Sequence, residues 1–410
     1  MKFRASWGQL GNDGIRSGEM TSTFNRSEGS YYLFGESAPY LGDESNPAQQ
    51  PVTIGRIPDK IGNPEIIWET QESTNFGIDV AFLENKISFT ADYFIRRSKD
   101  LLLQYEIPSY FGYPNTPYQN FGEIKNTGLE LSADYRNRIG EFYYSIGANI
   151  TLPDNKVVKS NAVDSLPMYV PDGRIGTIGR IYKGRPMREY FGLETDGLFD
   201  SQEEIEAYVD KDGNMIQPKA IPGEIKFVDQ NNDGLIDDGD RIVLGSPHPK
   251  FFGGFNIGLG WKMVSLDMDF QGMFGNKIVL KEKYYNWNSP VAYNSIAGLS
   301  DLAWHGPGTS DEVPILNSRS LNNNFRFSDY WLEDGSYLRM KSIQLSVAVP
   351  ENLVKRVKIS GLSVYLRGDN LLTFTKYRGF EPETYAAEGD VSQYGYILNK
   401  SVTGGVKVQF

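Results

Sequence analysis

The feature that most limits how this chain can fold is an alternation of apolar and polar residues that recurs along it in paired segments. Phe76, Ile78, Val80 and Phe82 alternate with Asn75, Gly77, Asp79 and Ala81. After a turn at Glu84-Asn85 the chain resumes with Ile87, Phe89, Ala91, Tyr93 and Ile95 against Ser88, Thr90, Asp92 and Arg96. Leu129, Leu131, Ala133 and Tyr135 lead through a turn near Asn137 to Glu141 into Phe142, Tyr144, Ile146, Ala148 and Ile150. Phe251, Phe255, Ile257, Leu259 and Trp261 return through Lys262-Met263 as Leu266, Met268 and Phe270. The last segment places Val402, Gly404, Val406, Val408 and Phe410 opposite Thr403, Lys407 and Gln409. A period of two sends the two sets to opposite faces of a strand. Hairpins with one greasy and one polar face suit a transmembrane barrel whose outside meets lipid and whose lumen meets water.

Composition fits this expectation. The 25 Tyr, 23 Phe and 6 Trp would serve the aromatic girdles of a barrel. No apolar run approaches the ~18 residues a membrane helix needs, and mean hydropathy is -0.42. The absence of cysteine fits an oxidising compartment. A net charge of -11 argues against nucleic-acid binding, which relies on a basic stripe. Residues 10 to 72, 154 to 180, 200 to 248 and 285 to 330 are rich in Gly, Pro, Asn, Asp and Ser and too long for ordinary connections; in a barrel they belong on the extracellular side. Within one of them Ser201 and Glu204 form a capping-box pattern ahead of Ile205 and Tyr208, predicting a short surface helix.

Asp229-Gln230-Asn231-Asn232-Asp233-Gly234-Leu235-Ile236-Asp237-Asp238-Gly239-Asp240 has the spacing of a calcium loop. Side-chain oxygens of Asp229, Asn231 and Asp233, the Leu235 carbonyl, Asp237 and Asp240 occupy the ligand slots, with Gly234 at the sharp turn. Asp replaces the usual Glu at the twelfth position, and a strand-like Ile225 to Val228 precedes the loop, so the expectation is a Ca²⁺-stabilised surface loop rather than a helix-loop-helix hand. An acidic turn without an ion is the alternative. No catalytic constellation is present: His248 and His305 have no neighbouring imidazole or thiol, and Glu203 and Glu204 read as helix-surface charge. Gly253, Gly254 and Gly258 read as close packing or curvature within a strand. Tyr110, Phe111, Tyr113, Tyr118 and Phe121 suit an interfacial belt or loop packing, with sugar stacking as the other reading.

Several blocks, in order, resemble SusC/RagA-type TonB-linked outer-membrane proteins. Trp331-Leu332-Glu333-Asp334-Gly335-Ser336-Tyr337-Leu338-Arg339-Met340-Lys341, with Leu345 and Pro350, is similar to that family's "DGSYLRLKN...L...P" segment. Trp68-Glu69 before Asn75-Phe76-Gly77, Gly122 to Glu130, Gly223 to Asp229, and Gly368 to Thr373 followed by Tyr377 and Glu381-Pro382-Glu383 resemble further blocks, Glu381 standing for the usual Asp. Thr403, Gly405, Val408 and Phe410 resemble the C-terminal assembly signal of bacterial barrels.

The resemblance implies a 22-stranded outer-membrane barrel with an N-terminal plug, driven by TonB, lidded by a SusD-like surface lipoprotein and importing oligosaccharides or peptides without chemical change. Residues 1–410 would be its C-terminal barrel part, about half the wall, with plug, TonB box and signal peptide absent from this chain; about 9 to 11 residues per strand gives roughly ten to twelve strands. The rival expectations are a non-transporting binding barrel or adhesin, and a soluble β-rich calcium-binding carbohydrate-active protein.

Overall fold

The computed structural model describes every residue except 15–17, 26–30, 33–52, 55–56, 105–116, 161–166, 174, 285–294, 318–320, 355–358 and 384–396. Its main feature is an antiparallel sheet of ten strands, each hydrogen-bonded to the next in chain order. The strands are β1 (Lys2–Asn12), β2 (Glu69–Phe82), β3 (Ile87–Gln104), β4 (Tyr118–Ile139), β5 (Phe142–Lys159), β6 (Phe251–Trp261), β7 (Val264–Phe274), β8 (Tyr337–Ala348), β9 (Gly361–Thr375) and β10 (Ser401–Gln409).

Register turns the local alternation into two continuous faces. Because paired residues share a face, one apolar row runs Ile87, Tyr135, Ile146, Ile257, Met268 and Ile343 across β3 to β8. The row beside it runs Val80, Phe89, Ala133, Ala148, Phe255 and Phe270. Every apolar set predicted from the alternation falls on this face. Many of its large side chains are open, among them Phe76, Phe82, Trp261, Leu366 and Val406. An exposed apolar surface this continuous needs a covering, and in a barrel wall the covering is lipid. The belt has the right height: Phe142 to Leu152 on β5 is eleven residues of one strand, about 33 Å along it and about 25 Å along the axis of a barrel tilted by ~40°.

The other face is polar. Asp134, Gly147, Asn256, Asp269, Ser342 and Asp369 lie in one row. At its β1 end Arg4 clasps Asp79 (2.8 and 3.0 Å) and Asp92 (2.8 and 2.9 Å). Gly253 and Gly254 meet the predicted close packing: a Cβ would sit 2.1 Å from the Asn149 carbonyl oxygen in the first case and 2.4 Å from that of Phe270 in the second.

The longest connections gather at one end of the sheet. Tight turns join β2 to β3, β4 to β5 and β6 to β7, and residues 349–360 with the short helix Glu351–Val354 join β8 to β9 at the same end, while the longest segments leave from the opposite end. Three of their predicted limits need correcting, since β2 already begins at Glu69. β1 runs to Asn12 and β5 to Lys159, because strands paired on one side or both continue past the belt. The long segments also carry structure of their own. Met168–Asp172, Gly176–Ile181, Glu189–Gly192 and Ile242–Gly245 form a four-stranded sheet. Its core continues through Ile278, Val279, Leu280, Phe327, Trp331 and Tyr377, packed between segments far apart in sequence. The predicted helix spans Gln202–Ala207: Ser201 caps the Glu204 amide, and the Glu204 carboxylate accepts from the Asp200 amide at 2.8 Å.

Candidate functional site

The functional surface of such a wall is the polar face together with the loop layer at its long-loop end. Two ion networks fix the layer. The first joins blocks that the sequence left separate. Arg339, pointing from β8 to the polar side, is almost fully buried and donates to Glu381 (2.5 Å), Glu383 (2.6 Å) and the Thr373 hydroxyl (2.9 Å). Lys341 completes it with a 2.9 Å bond to Glu383. The Tyr337 to Lys341 block and the Glu381-Pro382-Glu383 block therefore form one clamp, which seats the start of the β9–β10 connection on the wall. Glu381, in place of the usual Asp, still reaches the guanidinium.

The second network surrounds Glu333. Lys283 lies 2.8 Å from its carboxylate, donates to the Tyr330 carbonyl and stands 4.5 Å above the Tyr330 ring. Arg378 approaches Glu333 at 2.6 Å and Glu312 at 2.5 Å. Burial pushes the Lys283 ammonium below its ordinary pKa against the pull of Glu333. Burial also works to raise Glu333, but Arg378 and Lys283 outweigh it and hold the carboxyl below its usual value. Beside them lies an open cavity of about 180 Å³ lined by Leu198, Ile225, Lys283, Asp329, Tyr330 and Arg378. Asp329 accepts from the Thr195 amide and hydroxyl at 3.0 and 2.7 Å, yet burial keeps its carboxyl above the ordinary value. No single residue announced this network in the sequence. The signal available was that Glu333 and Tyr337 belong to one resembled block and Tyr377 to another.

The predicted calcium loop is a compact turn below the short strand Ile225–Phe227. Asp229 accepts from the amides of Asp233 (3.3 Å) and Gly234 (2.9 Å), Asn231 from Asp233 (2.9 Å), and Asp233 from Leu235 (2.9 Å). Asp237 caps the Gly239 amide, and the fully buried Asp240 accepts from Gln230 and Asp237. Gly234 has φ +84, the left-handed turn its slot demands. The six predicted positions thus share one turn, with their side-chain oxygens engaged by its backbone amides; Leu235 itself is exposed. Among the described residues, no three His, Cys, Asp or Glu side chains converge closely enough to hold an ion.

Other predicted features have structural roles. His248 Nε2 meets the Met187 carbonyl at 2.9 Å, with burial lowering its pKa, and His305 Nδ1 meets the Ala303 carbonyl at 2.9 Å. Of the aromatic cluster, Phe121 is buried and Tyr118 opens β4, while Tyr110, Phe111 and Tyr113 lie outside the described residues.

Residues 1–183 match the family described as TonB dependent receptor-like, beta-barrel. TonB-dependent receptor P3 of Formosa agariphila is 29% identical over 385 residues, covering 93% of this chain and 36% of that protein. TonB-dependent receptor SusC of Bacteroides thetaiotaomicron is 26% identical over 388 residues, covering 93% of this chain and 35% of that protein. The solved structure of the RagAB peptide transporter superposes with a TM-score of 0.73 at 24% identity, over 100% of this chain and 40% of that one. The likeness in structure is one of fold. The chain spans a little over a third of the length of these curated relatives.

Proposed function

Because the chain is a barrel portion of a SusC/RagA-type TonB-dependent receptor, we propose that the whole protein imports a nutrient across the outer membrane, powered through TonB. The observation that carries this reading is the register of the ten strands, which gives one continuous apolar face, one continuous polar face and the longest connections at a single end. Such a wall separates lipid from a water-lined path, and the clamped loop layer offers a place for capture above it. A SusD-like surface lipoprotein closing over that end, and an oligosaccharide or peptide as cargo, complete the proposal; the wall itself performs no chemistry on what passes.

The test is uptake by cells carrying the full-length gene. Deleting the TonB-contacting segment should abolish uptake of labelled oligosaccharide or peptide and leave surface binding unchanged. Uptake that persists without TonB rejects the importer, and binding without uptake in the intact strain favours the adhesin reading.

A second proposal concerns residues 229 to 240. The spacing of Asp229, Asn231, Asp233, Leu235, Asp237 and Asp240, with Gly234 in the required conformation, supports Ca²⁺ ordering this loop, with a dissociation constant on the order of 0.1 to 1 mM typical of extracellular sites. Calcium should protect the loop from proteolysis, and Asp229→Ala with Asp233→Ala should remove the protection. A wild-type loop cleaved equally with and without calcium rejects the ion.

A further inference from the structure

Above the apolar belt, the outward face of β2 to β5 changes character within two rows. The uppermost apolar row holds Phe76, Tyr93, Leu129 and Leu152. The next holds Trp7, Thr74, Ile95, Thr127 and Asp154. The one after holds Gln9, Glu72, Arg97, Lys125 and Lys156. Three cations therefore stand directly opposite one another on adjacent strands, an arrangement that repels itself unless an anion lies between them. This occurs in a chain whose net charge is -11.

The neighbouring acids are already engaged. Glu72 is taken by Lys99 at 2.8 Å and Asp154 by Lys156 at 3.0 Å. Arg97 and Lys125 are left without a carboxylate partner. Neither side chain makes a hydrogen bond or ion pair among the described residues.

Height identifies the anion. Four residues separate Tyr93 from Arg97 and Leu129 from Lys125, which is about 13 Å along the strand and about 10 Å along the axis of a tilted barrel. That height lies in the headgroup layer, above the edge of the hydrocarbon core. Trp7, largely exposed in the row between, is the residue type that favours this boundary.

We infer that Arg97 and Lys125, flanked by Lys156, bind the phosphate of an outer-leaflet lipid headgroup whose acyl chains lie on the apolar belt beneath them. Arg97 supplies a planar fork suited to phosphate oxygens, and Lys125 supplies a mobile point charge. The inference rests on the outer-membrane reading of the belt. Occupancy would relieve the cross-strand repulsion and tie the wall to its surrounding leaflet on the side where the loops emerge.

The test uses the full-length receptor, purified in detergent and titrated with bisphosphorylated lipid A while adducts are counted by native mass spectrometry. Arg97→Gln with Lys125→Gln should weaken lipid A binding by about thirtyfold, from the attraction of two cations at a charged surface. Dephosphorylated lipid A should bind both proteins equally, and excess inorganic phosphate should not displace the lipid. Lys262→Gln, at the tight-turn end, should leave binding unchanged. Equal binding by wild type and double variant overturns the inference, as does an equal loss in Lys262→Gln. Full displacement by phosphate identifies a soluble-anion site and overturns the lipid. Both variants are first fractionated: loss of lipid binding is read on protein that sits in the outer membrane, whereas a wild-type receptor absent from that fraction refutes the outer-membrane reading itself.

Discussion

Placing the same cation at adjacent positions of β5 separates the two faces of the wall. Ala148 belongs to the apolar row between Ala133 and Phe255, and Asn149 to the polar row between Ser132 and Gly254. Ala148 lies six residues from Phe142 and four from Leu152, about 15 Å and about 10 Å along the barrel axis, so it sits near the middle of the belt. Neither substitution removes a large side chain, so cavity effects are minor. Ala148→Arg should cost about 2 to 4 kcal/mol, the penalty for a cation at the midplane, which is roughly 30- to 1000-fold in the folding equilibrium. Asn149→Arg enters a water-facing surface carrying Glu130 and Asp134 on the next strand and should change stability by less than about 0.5 kcal/mol. The measurement is urea unfolding of the full-length protein in lipid vesicles, with heat-dependent gel mobility reporting the folded fraction. Equal costs at the two positions, or a larger one at Asn149, would refute the assignment of faces and with it the barrel wall.

Other outcomes follow from the loop layer. Arg339→Met strands Glu381 beside Glu383 and should cost about 3 to 5 kcal/mol, as expected when one partner of a buried pair is lost; hydrogen exchange should rise across residues 376–383, and an unchanged exchange pattern would show that the clamp does not hold that segment. Asp329 and Glu333 should give opposite pH responses. The Asp329 carboxyl is raised by burial, so its contribution is present at low pH and lost as pH rises through the elevated value; Asp329→Asn should therefore flatten that loss and be no less stable than wild type at neutral pH. Glu333 is depressed by Arg378 and Lys283, so its contribution is present above the ordinary carboxylate range and lost as pH falls through the lowered value. Glu333→Gln should destabilise the protein at neutral pH and lose that acid-side transition, which thermal unfolding across pH can check.

Which residues belong to which face is legible in the chain alone. Alternation is a property of each strand alone, so Phe89 against Thr90 and Ile257 against Gly258 could be read without knowing their neighbours, and so could the tight turn at Lys262-Met263. The Ser201 cap is equally local. The spacing of the acidic loop was legible too, because its bonds close within twelve residues.

The remaining features arise from register and from long-range packing. The cationic row of Arg97, Lys125 and Lys156 exists because β3, β4 and β5 pair in one register; a shift of one residue would send those side chains to the lumen. The clamp of Arg339 on Glu381 joins residues 42 apart. Lys283, Glu333 and Arg378 meet only once the β7–β8 and β9–β10 connections fold over the same end of the wall. Ion pairs of this kind leave no periodic trace, since a charged side chain in a loop looks the same in sequence whether it is solvated or buried against a partner brought from elsewhere.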